Sequence, residues 1–191
     1  MRHELLYIND GKAVPSSYAL TILEFKGLSP MLSRLPGGLL HVNVVGCGIM
    51  AAVAGSSAVT CATIGRMSIP ELTKRKYDET LSIGSLAGSG TLGLLIPPSI
   101  MLIVYGVLAQ QSISRLFIAG VLPGIMIILI FMSYIAIRAK LNPSLAPKEK
   151  NNYTFLEKLI AGRHLFPVVG LIFCVLGSIY GGYATPTEAA T

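Results

Sequence analysis

Residues 81–109 read LSIGSLAGSGTLGLLIPPSIMLIVYGVLA, a stretch without a single Asp, Glu, Lys or Arg. A bilayer crossing needs about 20 apolar residues, so the run is long enough to span one. Pro97 and Pro98 remove two backbone donors and crowd the preceding turn, which predicts a break in the helix at that point. In hydrocarbon, free backbone polar groups are tolerated where they are buried in protein or line a polar cavity. A break at that depth therefore points to ligands for an ion or substrate. The alternative is a kinked packing helix, since proline is common in membrane helices.

Composition agrees with a membrane setting. Of 191 residues, 52% are hydrophobic and 13% charged, and the mean hydropathy is +0.67. Long uncharged apolar stretches in such a chain predict an all-α integral membrane protein. The opening MRHELLYIND is polar and mixed in charge, unlike a secretory signal. A net charge of +6 invites a nucleic-acid reading, but the basic residues lie between apolar segments and read better as topology signals; no nucleic-acid partner is expected. Cys47, Cys61 and Cys174 sit in apolar surroundings without paired metal spacing and are expected to be buried small hydrophobes.

The chain divides by charge and hydropathy. Residues 1–33 are a polar, irregular lead. Residues 34–70 are apolar from Pro36 to Pro70 with a small-residue interruption at Gly55-Ser56-Ser57, and residues 71–80 form a charged loop. Residues 81–111 are the broken segment and 112–138 a transmembrane helix. Residues 139–163 make a basic loop, whose YTFLEKLIAG portion has the pattern of a short interfacial helix. Residues 164–191 hold a last apolar segment. Arg34, Lys74-Arg75-Lys76, and the group from Arg138 to Arg163 are expected on the cytoplasmic side. Both ends of 34–70 then lie on one side. Its arms of roughly 18 and 15 residues would be about 23–27 Å long, which favours a re-entrant hairpin over two short, tilted crossings.

Gly55-Ser56-Ser57-Ala58-Val59-Thr60 puts small residues and three hydroxyls at the expected tip. Glycine allows close backbone approach, and serine oxygens suit a small hard cation. A helix starting after the turn offers free amides to a carboxylate. Close packing of helices through small residues explains the same letters. Gly88-Ser89-Gly90-Thr91-Leu92-Gly93 matches the dinucleotide pattern, but that pattern needs a strand before it and a soluble βαβ unit around it. It reads instead as a flexible stretch with the Ser89 and Thr91 hydroxyls available. Catalysis, as in an intramembrane hydrolase acting through Ser56, Ser57 or Ser89, finds little support: a serine nucleophile needs a base within reach, and between Leu81 and Ile137 the one charged residue is Arg115.

Several motifs occur in a telling order: Arg34-Leu35-Pro36-Gly37-Gly38-Leu39, Val42-Asn43-Val44, Gly55-Ser56-Ser57-Ala58, Ile69-Pro70-Glu71, Gly90-Thr91-Leu92-Gly93-Leu94-Leu95-Ile96-Pro97-Pro98-Ser99, Leu116-Phe117-Ile118-Ala119-Gly120-Val121-Leu122-Pro123-Gly124 and Ala184-Thr185-Pro186-Thr187-Glu188-Ala189-Ala190. From about residue 28 to the end, the chain resembles the large permease subunit of tripartite ATP-independent periplasmic (TRAP) transporters, the DctM-like family; residues 1–27 do not. The resemblance implies a multi-pass protein of the bacterial inner membrane. It implies sodium-coupled import of organic anions such as C4-dicarboxylates or sialic acid, with a small membrane subunit and a periplasmic substrate-binding protein as partners and membrane lipid around it. It also implies an elevator fold of the ion-transporter superfamily, built from two inverted repeats.

Carried over by motif, Gly55, Ser56, Ser57, Gly90, Thr91 and Gly93 become sodium ligands, and Ser57, Pro97, Pro98 and Ser99 the substrate side. Ser89 is a secondary candidate. Sodium is the coupling ion, and no cofactor is implied. The family's second hairpin and second broken helix have no counterpart here. The chain is therefore expected to represent about one repeat: a fragment, a truncated frame or one piece of a split permease. The rival readings are a carboxylate carrier that uses no binding protein and a non-transporting membrane fragment.

Overall fold

The computed structural model describes residues 6–9, 12–15, 27–33, 35–147 and 166–181. Strands β1 (Leu6–Asn9) and β2 (Lys12–Pro15) pair antiparallel, with Leu6 opposite Pro15 and Asn9 opposite Lys12. This hairpin stands where the sequence reading expected an irregular lead. Asn9-Asp10-Gly11-Lys12 is hairpin chemistry, since Asp-Gly tolerates the positive φ that a two-residue turn requires.

The rest of the described chain is helical. Helices α1 (Leu39–Ala54) and α2 (Ser57–Lys74) form an antiparallel pair bent at Gly55-Ser56. Helix α3 (Glu79–Gly90) continues as a 3₁₀ turn (Thr91–Leu94), and an irregular stretch leads to α4 (Ile100–Leu108). Helix α5 (Ile113–Leu141) runs back, and α6 (Phe166–Tyr180) is the last described element. The YTFLEKLIAG segment and the Thr185-Pro186-Thr187-Glu188 motif lie outside the described residues.

Helix α1 is the centre of the packing. Its Leu39, Leu40, Val42, Val44 and Cys47 are fully or almost fully buried, and Leu72, Tyr77 and Ile135 close around its first turns. The sequence accounts for this: α1 has no acidic residue, Lys or Arg and is predominantly apolar on every side, with His41 and Asn43 its polar side chains, the pattern of a helix enclosed on all sides. Its arms differ in kind. Helix α2 carries Arg66, Glu71 and Lys74 on an outer face and buries Thr60, Ile64, Ser68 and Leu72.

Contacts fix the relative directions. Gly48 of α1 packs on Ile128 and Gly37 on Ile135, so α5 runs antiparallel to α1. Gly65 meets Leu86 and Gly90 meets Cys61, so α3 runs antiparallel to α2. Lys74-Arg75-Lys76, the Asp78 N-cap of α3 and the end of α5 with Arg138 and Lys140 therefore lie at one end. Asp78 N–H donating to the Leu145 carbonyl at 3.0 Å ties this end together. The α1–α2 bend lies at the other.

Among the described residues, α5 is the one helix long and apolar enough to cross a membrane. Its 29 residues extend about 44 Å. The 16 and 18 residues of α1 and α2 reach about 24 and 27 Å. The bend thus ends part-way along α5, near Gly120 and Gly124, and α4 continues past it. The interruption spans residues 95–99, around Pro97-Pro98: α3 tightens into the 3₁₀ turn at Thr91–Leu94, Ile96 N–H still reaches Leu92 O at 2.9 Å, and α4 begins at Ile100. One expectation needs correction. Of the cysteines, Cys47 is buried, Cys61 half-buried and Cys174 exposed on α6, whose described side chains are mostly uncovered.

Candidate functional site

The α1–α2 bend and the break after α3 meet backbone to backbone. Gly55 ends α1 at φ 59°, ψ 13°, and its N–H returns to the Ala51 carbonyl at 2.9 Å. Glycine takes this left-handed conformation without steric cost. Ser56 is extended and α2 starts at Ser57. Across from it, Ser99 is extended and α4 starts at Ile100, whose N–H donates to the Gly55 carbonyl at 3.2 Å. A Cβ on Gly55 would stand 2.6 Å from the Pro98 oxygen, and one on Gly93 would stand 2.7 Å from both the Ser56 carbonyl carbon and the Ser57 nitrogen. Only hydrogen fits at either place. The sequence-assigned residues 55–57 and 93–99 are therefore brought together. Gly90 sits one turn back, against Cys61 of α2.

Four helix ends converge here: the C-terminal ends of α1 and the 3₁₀ turn, and the N-terminal ends of α2 and α4. Neither N-terminal end has a side-chain cap bond. Carbonyl-rich ends carry partial negative charge and favour a cation, while amide-rich ends favour an anion. Every residue from 55 to 60 and from 90 to 100 is uncharged. Two of the hydroxyls are held by nearby backbone: Thr91 Oγ1 donates to Gly88 O at 2.6 Å, and Ser99 Oγ to Leu94 O at 2.8 Å. Each has committed its proton and keeps lone pairs for a cation. Thr91 is exposed and Ser99 fully buried.

The chain matches the family model described as "Tripartite ATP-independent periplasmic transporter, DctM component" over residues 25–191. It belongs to the DctM family. Among curated relatives, it is 37% identical over 161 residues to the C4-dicarboxylate TRAP transporter large permease protein DctM of Pseudomonas aeruginosa, covering 83% of this chain and 36% of that protein. It is 38% identical over 163 residues to the isethionate TRAP transporter permease protein DctMQ of Oleidesulfovibrio alaskensis, with 84% and 25% covered. It is 35% identical over 159 residues to the ectoine TRAP transporter large permease protein TeaC of Halomonas elongata, with 83% and 36% covered. The chain spans about a third or less of the length of these relatives. They are permeases and not enzymes, and the family is one of integral membrane proteins.

In this DctM chain, Ser89 is not part of the break. It is helical and fully buried, and its Oγ donates to Ser85 O at 2.6 Å. The small-residue stretch around it is a packed helix end rather than a flexible loop, because Gly88 takes the Phe131 ring and Gly90 takes Cys61. One feature escaped the sequence reading. Gly120 and Gly124 of α5 form a socket for the break: a Cβ on Gly120 would stand 2.7 Å from Leu95 O, and one on Gly124 2.9 Å from Ile96 Cγ1. The small-xxx-small spacing was the available signal. Thr60, one turn into α2, is fully buried and its Oγ1 meets no hydrogen-bond partner.

Proposed function

We propose that this chain carries one hairpin-and-break half of the ion and substrate site of a sodium-coupled organic-anion importer. The observation that supports the reading most is the seating of the Gly55–Ser57 turn on the Gly93–Ile100 break. Two opposed helix interruptions meeting near mid-membrane are the arrangement by which secondary transporters hold a cation and a carboxylate. In this reading, sodium is held by oxygens of Gly55, Ser56, Ser57, Gly90, Thr91 and Gly93. The substrate carboxylate faces the amide ends at Ser57 and Ser99, with Pro97 and Pro98 shaping the wall. Uncharged donors favour a monovalent cation, which a carboxylate pair would bind less selectively.

The α1–α2 pair is re-entrant in this reading. Its bend stops about 10 Å short of the start of α5, as the seven residue steps from Ile113 to Gly120 measure it, and the basic residues gather at the opposite, cytoplasmic end. The protein is then a multi-pass component of the bacterial inner membrane. A small membrane subunit and a periplasmic binding protein act with it, and the chain moves as part of one of two inverted, elevator-type repeats. The curated relatives are named for C4-dicarboxylate, isethionate and ectoine, so the substrate class is a small organic anion or zwitterion with a carboxylate or sulfonate.

The test is salt-specific stabilisation. A ligand that binds the folded state alone raises the unfolding midpoint by mass action. NaCl is expected to raise the midpoint of the purified chain in detergent, and KCl at the same ionic strength is not. Equal responses to the two salts overturn the sodium reading.

A further inference from the structure

At the basic end, away from the bend, a cavity of about 540 Å³ lies between the first half of α3 and the last third of α5. Its walls are mainly apolar, with Leu81, Phe131, Ile135 and Leu145 lining it beside the hydroxyls of Thr80 and Ser85. Gly84 opens onto free space, since a Cβ there would meet nothing within 4 Å. Phe131 closes it toward the break by packing on Gly88. The rim is polar and carries one charge of each sign, Asp78 and Arg138. Asp78 Oδ1 already accepts from Leu81 N at 2.7 Å, which fixes the carboxylate at the start of α3.

The cavity is continuous with the outer face of α5, where Ile130, Tyr134 and Ile137 are each more than half exposed. In a membrane protein this face meets acyl chains. Tyr134 and Arg138 stand one turn apart at its charged end, the pairing of aromatic and basic side chains that marks the headgroup level. A pocket of several hundred Å³ with apolar walls and a few polar groups at one end is built for a ligand of the same polarity pattern.

The geometry points to a bound phospholipid with a zwitterionic, primary-amine headgroup. One acyl chain lies along Leu81, Phe131 and Ile135, the phosphate sits on the Arg138 guanidinium, and the ammonium faces the Asp78 carboxylate. Basic pockets alone recruit anionic lipids; the carboxylate on the same rim opposes a net negative headgroup and favours a charge-balanced one. A primary ammonium donates hydrogen bonds to Asp78, whereas a trimethylammonium has no N–H to give. The assignment rests on the membrane reading of α5 and is independent of the sodium site.

The experiment is native mass spectrometry of the purified chain, delipidated and mixed with micelles containing phosphatidylethanolamine, phosphatidylcholine or phosphatidylglycerol. Wild type is expected to retain one phosphatidylethanolamine in preference to the other two. Arg138→Gln is expected to weaken retention about tenfold or more, the scale of a lost charge-assisted hydrogen bond. Gly84→Phe puts a ring where a Cβ meets nothing within 4 Å and is expected to abolish retention while the unfolding midpoint holds; Gly84→Leu serves if the larger ring unfolds the chain. Asp78→Asn keeps a side-chain oxygen for the Leu81 N–H and is expected to erase the preference over phosphatidylglycerol.

Retention unaffected by filling the cavity overturns the proposal, as does a wild type that holds none of the three lipids. A Gly84→Cys thiol that maleimide labels equally with and without phospholipid, but not beside a co-expressed small membrane subunit, assigns the groove to protein and overturns it as well. Separately, recovery of the chain in the soluble fraction of lysed cells would show the membrane reading itself to have failed.

Discussion

Gly93 lies flat against the peptide joining Ser56 to Ser57, with its absent Cβ only 2.7 Å from the Ser57 nitrogen. Because both partners of that contact are backbone, neither can rotate away. The turn and the break are held at a separation that one methyl group would change.

Gly93→Ala is therefore expected to destabilise the chain by about 1–3 kcal/mol, the cost of overpacking a closed contact. The same substitution at Gly84, an exposed helical position with open space around its Cα, is expected to stabilise by about 0.5–1 kcal/mol through helix propensity. Thermal unfolding of both variants in one detergent checks the pair. A Gly93→Ala midpoint equal to that of Gly84→Ala would falsify the close approach.

The socket on α5 gives an ordered pair. Gly120 faces a backbone oxygen, Leu95 O, and Gly124 faces the Ile96 side chain. A side chain can adjust its rotamer and a carbonyl in a packed turn cannot, so Gly120→Ala is expected to cost more than Gly124→Ala. The difference is about 1 kcal/mol, within the range for added methyl groups in tight cores. Denaturant unfolding of the two variants measures it, and the reverse order would count against the seating of the break on α5.

A polar seam links α1 to α3. Asn43 is fully buried and its Nδ2 donates to Ser85 Oγ at 3.3 Å, while Ser85 Oγ donates to Ser82 O at 2.9 Å. Ser85 keeps its own donor bond when Asn43 is removed, so the link is worth little alone. A double-mutant cycle of Asn43→Ala and Ser85→Ala is expected to give a coupling near 0.6 kcal/mol, the average for hydrogen bonds between membrane helices. Strict additivity of the two single changes would remove the bond from the account.

The bend at Gly55 and the break before Ser99 were legible because Gly, Ser and paired Pro act locally, through φ freedom and missing donors. What Pro97 does to its predecessors was only half legible. The prolines interrupt the helical turns after Leu95, but the tightening from α to 3₁₀ geometry at Thr91 is announced by no local pattern. Ser89 looked available because it stands between glycines. Its hydroxyl turned inward because the helix persists through it and the i−4 carbonyl of Ser85 is within reach. The β1–β2 pairing, with Asn9 opposite Lys12, leaves the Asp-Gly dipeptide between its strands, a hairpin signal set among charged neighbours. The meeting of Gly93 with Ser57 links residues far apart in the chain, and only the packing of α2 along α3 brings it about.

The sodium assignment separates hydroxyls at the meeting point from hydroxyls nearby. Thr91 Oγ1 donates to Gly88 O from an exposed position two residues before Gly93, and Ser57 opens α2. Ser89 Oγ, two residues from Thr91, is fully buried on Ser85 O. Thr91→Val keeps the shape and removes the oxygen, so the NaCl-induced rise in unfolding midpoint is expected to shrink, as it is for Ser57→Ala. Thr91→Ser restores an oxygen at the same Cβ and is expected to recover the response. Ser89→Ala is expected to lower stability in both salts by about 1 kcal/mol, the net worth of a hydrogen bond, and to leave the difference between NaCl and KCl intact. The measurement is a salt titration of thermal unfolding for all four variants. If Ser89→Ala abolishes the sodium-specific part and Thr91→Val does not, the cation sits on the helix rather than at the break.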